Sequence, residues 1–136
     1  KVNSMAYTFA NTGYKSSWTL NLFNFDFGYL KTIDVNGIKV RLTHGHIYDR
    51  NNLPENCGEI FLSGHTHIGN IEKINGKIIA NPGSISKPRG GTKKSYIIID
   101  EEKIELKSLD GEVIKSIKLN VKYWQLQIKY CIMNIL

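Results

Sequence analysis

Four histidines, all of them in two H-x-H pairs, are the residues of this sequence whose types and spacing could do chemistry. His44 and His46 flank one glycine in LTHGH, and His65 and His67 flank one threonine in SGHTH. Residues two apart leave a strand on the same face, and neutral imidazole is a preferred ligand of zinc, manganese, iron and nickel. Two such pairs that together use every histidine predict one metal centre.

A second candidate segment is NPGSISKPRGG, residues 81–91. Pro82 and Gly83 are typical of a turn, which the side chains of Asn81 and Ser84 could cap. Arg89 could reach a phosphate oxygen with its bidentate guanidinium, or could be an ordinary solvated charge of the loop. Three further residues give weaker evidence. Tyr48 and Asp49 could orient ligands, although plain loop roles are favoured, and Cys57 is typical of a small buried apolar residue.

Short strands separated by turn residues must position these side chains. Asn36-Gly37 and Asn75-Gly76 are pairs that favour tight primed turns, so each predicts a β-hairpin. Further strands are predicted at SYIIID, KIELKSL and GEVIKSIKL, and EIFLSG, before the second histidine pair, has the apolar composition of a buried strand. We therefore expect a strand-rich unit over residues 30–119, with meander-like connections and both histidine pairs at the same edge of adjacent strands.

The two ends of the chain give weaker patterns. Residues 1–29 show no clear period and are interpreted as a divergent N-terminal segment. In the apolar tail, residues 120–136, alternate positions from Trp124 to Ile132 are apolar, which is typical of an edge strand. A tail that is poorly integrated into the fold explains the same pattern equally well.

Composition bounds the class of protein. A chain of 136 residues that is 41% hydrophobic and 22% charged is typical of one soluble globular domain. No apolar run is long enough to span a membrane, and the beginning lacks a signal pattern, so we expect a cytoplasmic location with reduced cysteines. The net charge of +6 is spread along the chain, so a nucleic-acid partner is not expected.

LTHGH, SGHTH and NPGSISKPRGG, in this order, resemble the C-terminal half of the calcineurin-like metallophosphoesterases, and more closely the YfcE-type phosphodiesterases. The resemblance runs from about Ile33 to Lys118. It implies an α/β metallophosphoesterase sandwich, two sheets flanked by helices, of which this chain would hold mainly the strand-rich C-terminal sheet. Residues 30–119 would then be the C-terminal part of that domain.

The resemblance also implies roles for single residues. His44, His65 and His67 take the positions of the metal ligands. His46 and Arg89 are expected to contact either the ligand side chains or the substrate. The family uses two divalent metal ions to activate a hydroxide that hydrolyses a phosphodiester. Manganese is the expected metal, with zinc, iron or nickel also compatible, and a small phosphodiester is the expected substrate.

The sequence departs from the family pattern before His44. The family's D-x-H and G-D motifs are absent there, and only Asn24 and Asp26 repeat the N-x-D spacing of its third motif. These two residues are either a remnant metal site or part of an unrelated segment. The resemblance thus predicts a partial phosphodiesterase that turns over poorly alone. The alternative is an inactive scaffold for protein interaction, as in a retromer subunit of this fold. An exposed sheet edge or the tail could also form the contact between chains of an oligomer.

Overall fold

The computed structural model of the chain describes residues 5–11, 17–20, 30–35, 37–100, 102–119 and 128–134. These residues form two β-sheets. In chain order the strands are β1 (Met5–Asn11), β2 (Ser17–Leu20), β3 (Lys31–Val35), β4 (Ile38–Thr43), β5 (Ile60–Ser63), β6 (Asn70–Ile74), β7 (Lys77–Asn81), β8 (Ser95–Ile99), β9 (Lys103–Ser108), β10 (Val113–Lys118) and β11 (Ile128–Asn134).

The five-stranded sheet has the order β3-β4-β5-β7-β6 and mixes both strand directions. Its two outer pairs, β3 with β4 and β6 with β7, are the predicted antiparallel hairpins. Asn75 and Gly76 both have positive φ, 51° and 77°, as a primed two-residue turn requires. Gly37 also has positive φ, 84°, whereas Asn36 lies outside the described residues. Asparagine and glycine therefore fold locally as their turn chemistry predicts.

The meander-like connections expected over residues 30–119 are wrong for the centre of this sheet. β4 pairs in parallel with β5, and β5 pairs in parallel with β7. Parallel neighbours cannot be joined by a tight turn, so residues 44–59 cross over between β4 and β5. As a consequence, the carboxyl ends of β4, β5 and β7 lie at one edge of the sheet.

The six-stranded sheet has the order β10-β9-β8-β11-β1-β2, and its strand pairs are antiparallel. The strands predicted at SYIIID, KIELKSL and GEVIKSIKL are confirmed as β8, β9 and β10, and β9 pairs with both of the others. The interpretation of the tail as an edge strand is wrong, because β11 is hydrogen-bonded to β8 on one side and to β1 on the other. Apolar alternation reports which faces of a strand are buried, not whether both of its edges are paired. Trp124 lies outside the described residues, and the boundaries at 29 and 119 stay predictions.

The hydrophobic core lies between the two sheets. In β8 and β9 every second residue points into it, so that buried and half-buried residues alternate. Both sheets contribute to the cluster, which contains Val35, Val40, Leu42, Ile60, Leu62, Ile71, Ile78, Ala80, Ile97, Ile99, Ile104, Leu106 and Ile132. This core fixes the five-stranded sheet, and with it the edge where the histidines lie.

A smaller cluster covers the opposite, outer face of the five-stranded sheet. Phe61, Ile79 and Cys57 are buried there, with Leu30 and Tyr48 packed against them. Cys57 is thus the buried apolar residue that the sequence predicts. In the part of the chain that the structure describes, no helix is long and apolar enough to cross a membrane.

Candidate metal centre

The two histidine pairs follow β4 and β5, and the parallel register of these strands brings them together. Thr43 of β4 lies opposite Ser63 of β5, so His44 and Gly64 leave the sheet side by side. The N–H of Gly64 donates to the carbonyl of His44 at 2.9 Å. The prediction that both pairs lie at the same edge of adjacent strands is confirmed, and this edge is where open α/β sheets bind ligands.

Gly45 allows the two loops to approach this closely. A Cβ atom at Gly45 would lie 2.8 Å from the carbonyl oxygen of Gly64 and 3.1 Å from the Cβ of His65. The φ angle of Gly45 is +108°, a value that residues with a side chain rarely adopt. A larger residue between His44 and His46 would therefore push the two histidine loops apart.

Three of the four imidazoles form one cluster. The ring of His44 lies 5.0 Å from that of His46 and 5.0 Å from that of His65, centroid to centroid. The Nδ1 atoms of His44 and His46 are 3.0 Å apart, so one of them donates the proton and the other accepts it. His46 and His65 are exposed, which leaves this cluster open to a ligand from solvent.

His67 is held differently, in the loop next to this cluster. It is buried, with 9% of its surface exposed, and its Nδ1 lies 2.8 Å from the carbonyl oxygen of Lys87. A carbonyl can only accept, so Nδ1 must carry the proton and the lone pair of a neutral ring lies on Nε2. Metal-binding histidines are usually fixed in this way, with the second ring nitrogen donating to a carbonyl or carboxylate. The donor chemistry of this imidazole therefore suits a divalent metal ion of the kind that imidazole prefers.

Both histidines of SGHTH adopt a backbone conformation that is rare for residues with a side chain. The φ angles are 69° at His65 and 61° at His67, in the left-handed region. Such residues cost roughly 1–3 kcal/mol each and persist where the surrounding structure fixes them, frequently at functional sites. The surrounding loops therefore hold both histidines of SGHTH in a strained backbone conformation.

Asn81 supplies part of that fixation. Its amide Nδ2 donates to the carbonyl of Gly64 and to the hydroxyl of Thr66, each at 3.0 Å. Its Oδ1 accepts from the N–H of Gly83 at 2.9 Å, which confirms the predicted cap of the NPGS turn. One side chain therefore joins the NPGS turn to the backbone that carries His65.

Ser84 connects the same turn to His67. Its hydroxyl, which is fully buried, accepts from the N–H groups of Ser86 at 3.3 Å and of Lys87 at 2.9 Å. The predicted capping role of Ser84 is confirmed. Because Lys87 also provides the carbonyl on His67, the capped turn places the group that fixes the His67 ring.

Arg89 is attached to His67 through the main chain. Its N–H donates to the carbonyl of His67 at 3.1 Å, and the hydroxyl of Thr92 donates to the carbonyl of Arg89 at 2.7 Å. The side chain of Arg89 is exposed. The role of the Arg89 guanidinium on a substrate stays a prediction.

The site is not a finished metal cage in the described residues. Across residues 30–35, 37–100 and 102–119, no group of three or more His, Cys, Asp or Glu side chains is arranged to hold a metal ion. Convergence of His44, His65 and His67 on one metal ion stays a prediction. Asn24 and Asp26 lie outside the described residues.

A family model for the calcineurin-like phosphoesterase superfamily domain matches residues 21–103, which is more than half of the chain. The chain belongs to the calcineurin-like phosphoesterase superfamily. This confirms the family that the histidine and NPGS motifs predict.

One phosphoesterase is similar to this chain in both sequence and structure, and a second is similar in structure. Phosphodiesterase YfcE of Escherichia coli K12 is 36% identical over 81 residues, which are 58% of this chain and 44% of that protein. The solved structure of the E. coli phosphoesterase Yfce superposes with a TM-score of 0.61 at 29% identity, over 67% of this chain and 51% of that one. A predicted phosphoesterase from Streptococcus pneumoniae TIGR4 superposes with a TM-score of 0.54 at 29% identity, over 66% and 62% of the two chains.

These superpositions confirm the α/β metallophosphoesterase fold class. A Vps29 variant from Entamoeba histolytica, with a TM-score of 0.52 at 23% identity, shares the fold alone. The chain spans about half the length of the curated relatives it matches.

Sequence reasoning missed two contacts of this candidate site. It assigned the side chain of Asn81 to the NPGS turn alone. The hydrogen bonds of Asn81 to Gly64 and Thr66 depend on a strand order that the sequence does not show. It also missed the Lys87 carbonyl, because every residue has one and no side-chain type marks it. Asp49 is a turn residue, as favoured: its Oδ1 accepts from the N–H groups of Asn51 and Asn52 at 2.8 and 2.9 Å.

Proposed function

We propose that this chain provides one half of a metal-dependent phosphodiesterase centre, with His44, His65 and His67 as ligands of a divalent metal ion. The observation that carries the proposal is the geometry at the ends of β4 and β5. The rings of His44 and His65 lie 5.0 Å apart there, and the Lys87 carbonyl fixes the His67 tautomer in the adjoining loop. Manganese as the metal and a cytoplasmic location belong to this proposal.

A bound divalent metal ion would supply polarisation of the phosphate and a lowered pKa for a water molecule. The chain's own residues then bind and orient the ester. Arg89 binds phosphate oxygens through its paired N–H groups, and the exposed His46 ring contacts the substrate beside His44. The reaction adds water across one P–O bond of a small phosphodiester and yields a phosphomonoester and an alcohol.

The experiment joins this chain to the complementary half of E. coli phosphodiesterase YfcE and measures hydrolysis of a generic aryl phosphodiester with manganese. The chain alone should hydrolyse the diester only feebly, because no carboxylate is grouped with its histidines in the described residues. The mixture should turn over. His65→Ala should abolish the recovered rate without changing the circular dichroism spectrum.

Arg89→Ala sharpens the test of substrate binding. It should raise KM or lower kcat of the mixture and leave the metal content unchanged, because its guanidinium binds phosphate and no metal. Lys73→Ala is the matched control, since Lys73 is an exposed cation on β6 that pairs with Ile78, at the end of the sheet away from the histidines. Turnover that a chelator leaves unchanged would refute the metal mechanism. Strong, chelator-sensitive turnover by the chain alone would instead make Asp26 the first further ligand to test.

The alternative function is that of an inactive scaffold for protein interaction. The lack of a three-donor group in the described residues is the observation that favours it. This alternative predicts no turnover in the mixture and no metal bound at micromolar concentrations. The same experiment therefore separates the two proposals.

A further inference from the structure

A cavity of about 300 Å³ lies on the outer face of the five-stranded sheet, beside the histidine loops. Residues 49–51 form one wall and the beginning of β6 forms another. Thr66 and Asn81 also line the cavity, and Thr66 is the residue between His65 and His67. A group bound in this cavity would therefore lie directly beside the proposed phosphate site.

The charges of the cavity disfavour the phosphate itself as its occupant. Arg50 is paired with Glu72 at 2.6 Å, so the one guanidinium on the wall is already neutralised. The carboxylate of Asp49 adds a further negative charge. Two carboxylates against one guanidinium disfavour an anion, and the ion pair instead ties the turn of residues 49–51 to β6.

The remaining lining suits a neutral ring with polar edges. Ile68 and Ile79 provide apolar surface, whereas Ser63, Asn51 and Asn70 provide hydroxyl and amide groups. Ligand sites generally combine such an apolar lining with a few polar groups, and the volume is at the lower limit of their range, roughly 300–1,000 Å³. The cavity is therefore large enough for one group of a substrate. An asparagine amide offers a donor and an acceptor together, which matches the edge of a nucleobase.

We propose that this cavity binds the neutral alcohol group of the phosphodiester, in the form of a nucleoside whose base lies on Ile79 and contacts the amides of Asn51 and Asn70. The proposal rests on the proposed function, because the adjoining histidines are taken as the phosphate site. It assigns to the cavity the choice between phosphodiesters, and to the histidines and Arg89 the chemistry common to all of them.

The test is a titration of the chain with adenosine, without metal or phosphate, followed by ¹H–¹⁵N NMR. Adenosine should give saturable shifts at the backbone N–H groups of Ser63, Asn70 and Ile79, and ribose should give none. Asn51→Ala with Asn70→Ala should weaken adenosine binding about tenfold, the loss expected from two hydrogen bonds. Either single variant should weaken it about threefold, so that the reading does not depend on the double variant folding.

Asn75→Gly is the matched control. It removes an amide of the same type from the far end of β6, at a φ of 51° that glycine tolerates, and should leave the adenosine affinity unchanged. Shifts confined to other surfaces, equal binding of ribose, or unchanged affinity in the folded Asn51 and Asn70 variants would overturn the proposal. Because neither metal nor turnover enters this titration, its failure leaves the phosphodiesterase proposal standing, and a failed reconstitution leaves the cavity result standing.

Discussion

The two sheets of this molecule differ in how their strands are buried, and the difference separates chemistry from support. All four residues of β5 are buried, with a parallel neighbour on each side. In β9 buried and half-buried residues alternate, as expected of an antiparallel strand with one face on the core. The crossovers required by parallel pairing collect the histidine loops at one edge, whereas the hairpins of the antiparallel sheet provide the other side of the core.

The largest expected effect contrasts a central strand with an edge strand. Leu62→Ala in β5 removes a fully buried side chain and should lower the free energy of unfolding by about 2–5 kcal/mol. Ile114→Ala in β10 removes an exposed side chain and should change it by no more than about 0.5 kcal/mol. Urea denaturation of the two variants measures the contrast. Equal losses would mean that the central strand is not the better packed of the two.

A second variant tests the contact between the NPGS turn and the antiparallel sheet. Gly83 has φ +75°, and a Cβ there would lie 2.2 Å from the Oγ of Ser95, the first residue of β8. Gly83→Ala should therefore destabilise the fold by about 1–3 kcal/mol. Adding Ser95→Ala removes the clashing oxygen, so the double variant should lose less than the sum of the two single variants. Strict additivity in thermal unfolding would contradict this contact.

A third variant tests the connection from the turn to the metal centre. Ser84→Ala leaves the N–H of Lys87 without its acceptor and frees the carbonyl that fixes His67. Removing such an outer partner should lower the metal affinity about tenfold, measured by calorimetry on the reconstituted protein. Ser116→Ala, an exposed serine of β10, is the control. Loss of stability with unchanged metal affinity would limit Ser84 to a structural role.

The smallest effect is expected far from the histidines, at the turn between β9 and β10. The hydroxyl of Ser108 donates to Asp110 and holds the pKa of that exposed carboxyl below its ordinary value of 3.8. A lowered pKa stabilises the folded state above pH 3.8, and this contribution disappears as the pH falls through the folded pKa. Asp110→Asn should therefore cost a little stability at pH 7 and nothing at the most acidic pH at which the chain stays folded. Thermal unfolding of both proteins at several pH values measures the difference in stability. A difference that grows as the pH falls would contradict the prediction.

Local features of the fold could be predicted from the sequence. Asn75-Gly76 specifies its turn because both residues tolerate positive φ, and the apolar run of β5 indicates a strand buried on both faces. The residues of a strand do not by themselves determine which other strands pair with it. The parallel pairing of β4 with β5 and the pairing of β11 with β8 depend on contacts distant in sequence, and local patterns therefore missed both.

The candidate site was predictable to a similar degree. Residue type and spacing indicated the four histidines, Arg89, and the caps Asn81 and Ser84. The positive φ of His65 and His67 and the carbonyl bond to His67 were not predictable, because a backbone conformation is chosen by the surrounding loops. Side-chain chemistry marks which residues act, and the tertiary structure decides how they are held.

Parallel pairing of β4 and β5 also has a consequence for the order of folding. The hairpins β6–β7 and β8–β9 join neighbours in sequence and can form early, since their loop-closure entropy is small. β4 can find β5 only after residues 44–59 have closed a longer loop. The two histidine pairs should therefore come together late in folding. In newly synthesised chains the imidazoles should still be apart after the hairpins have formed.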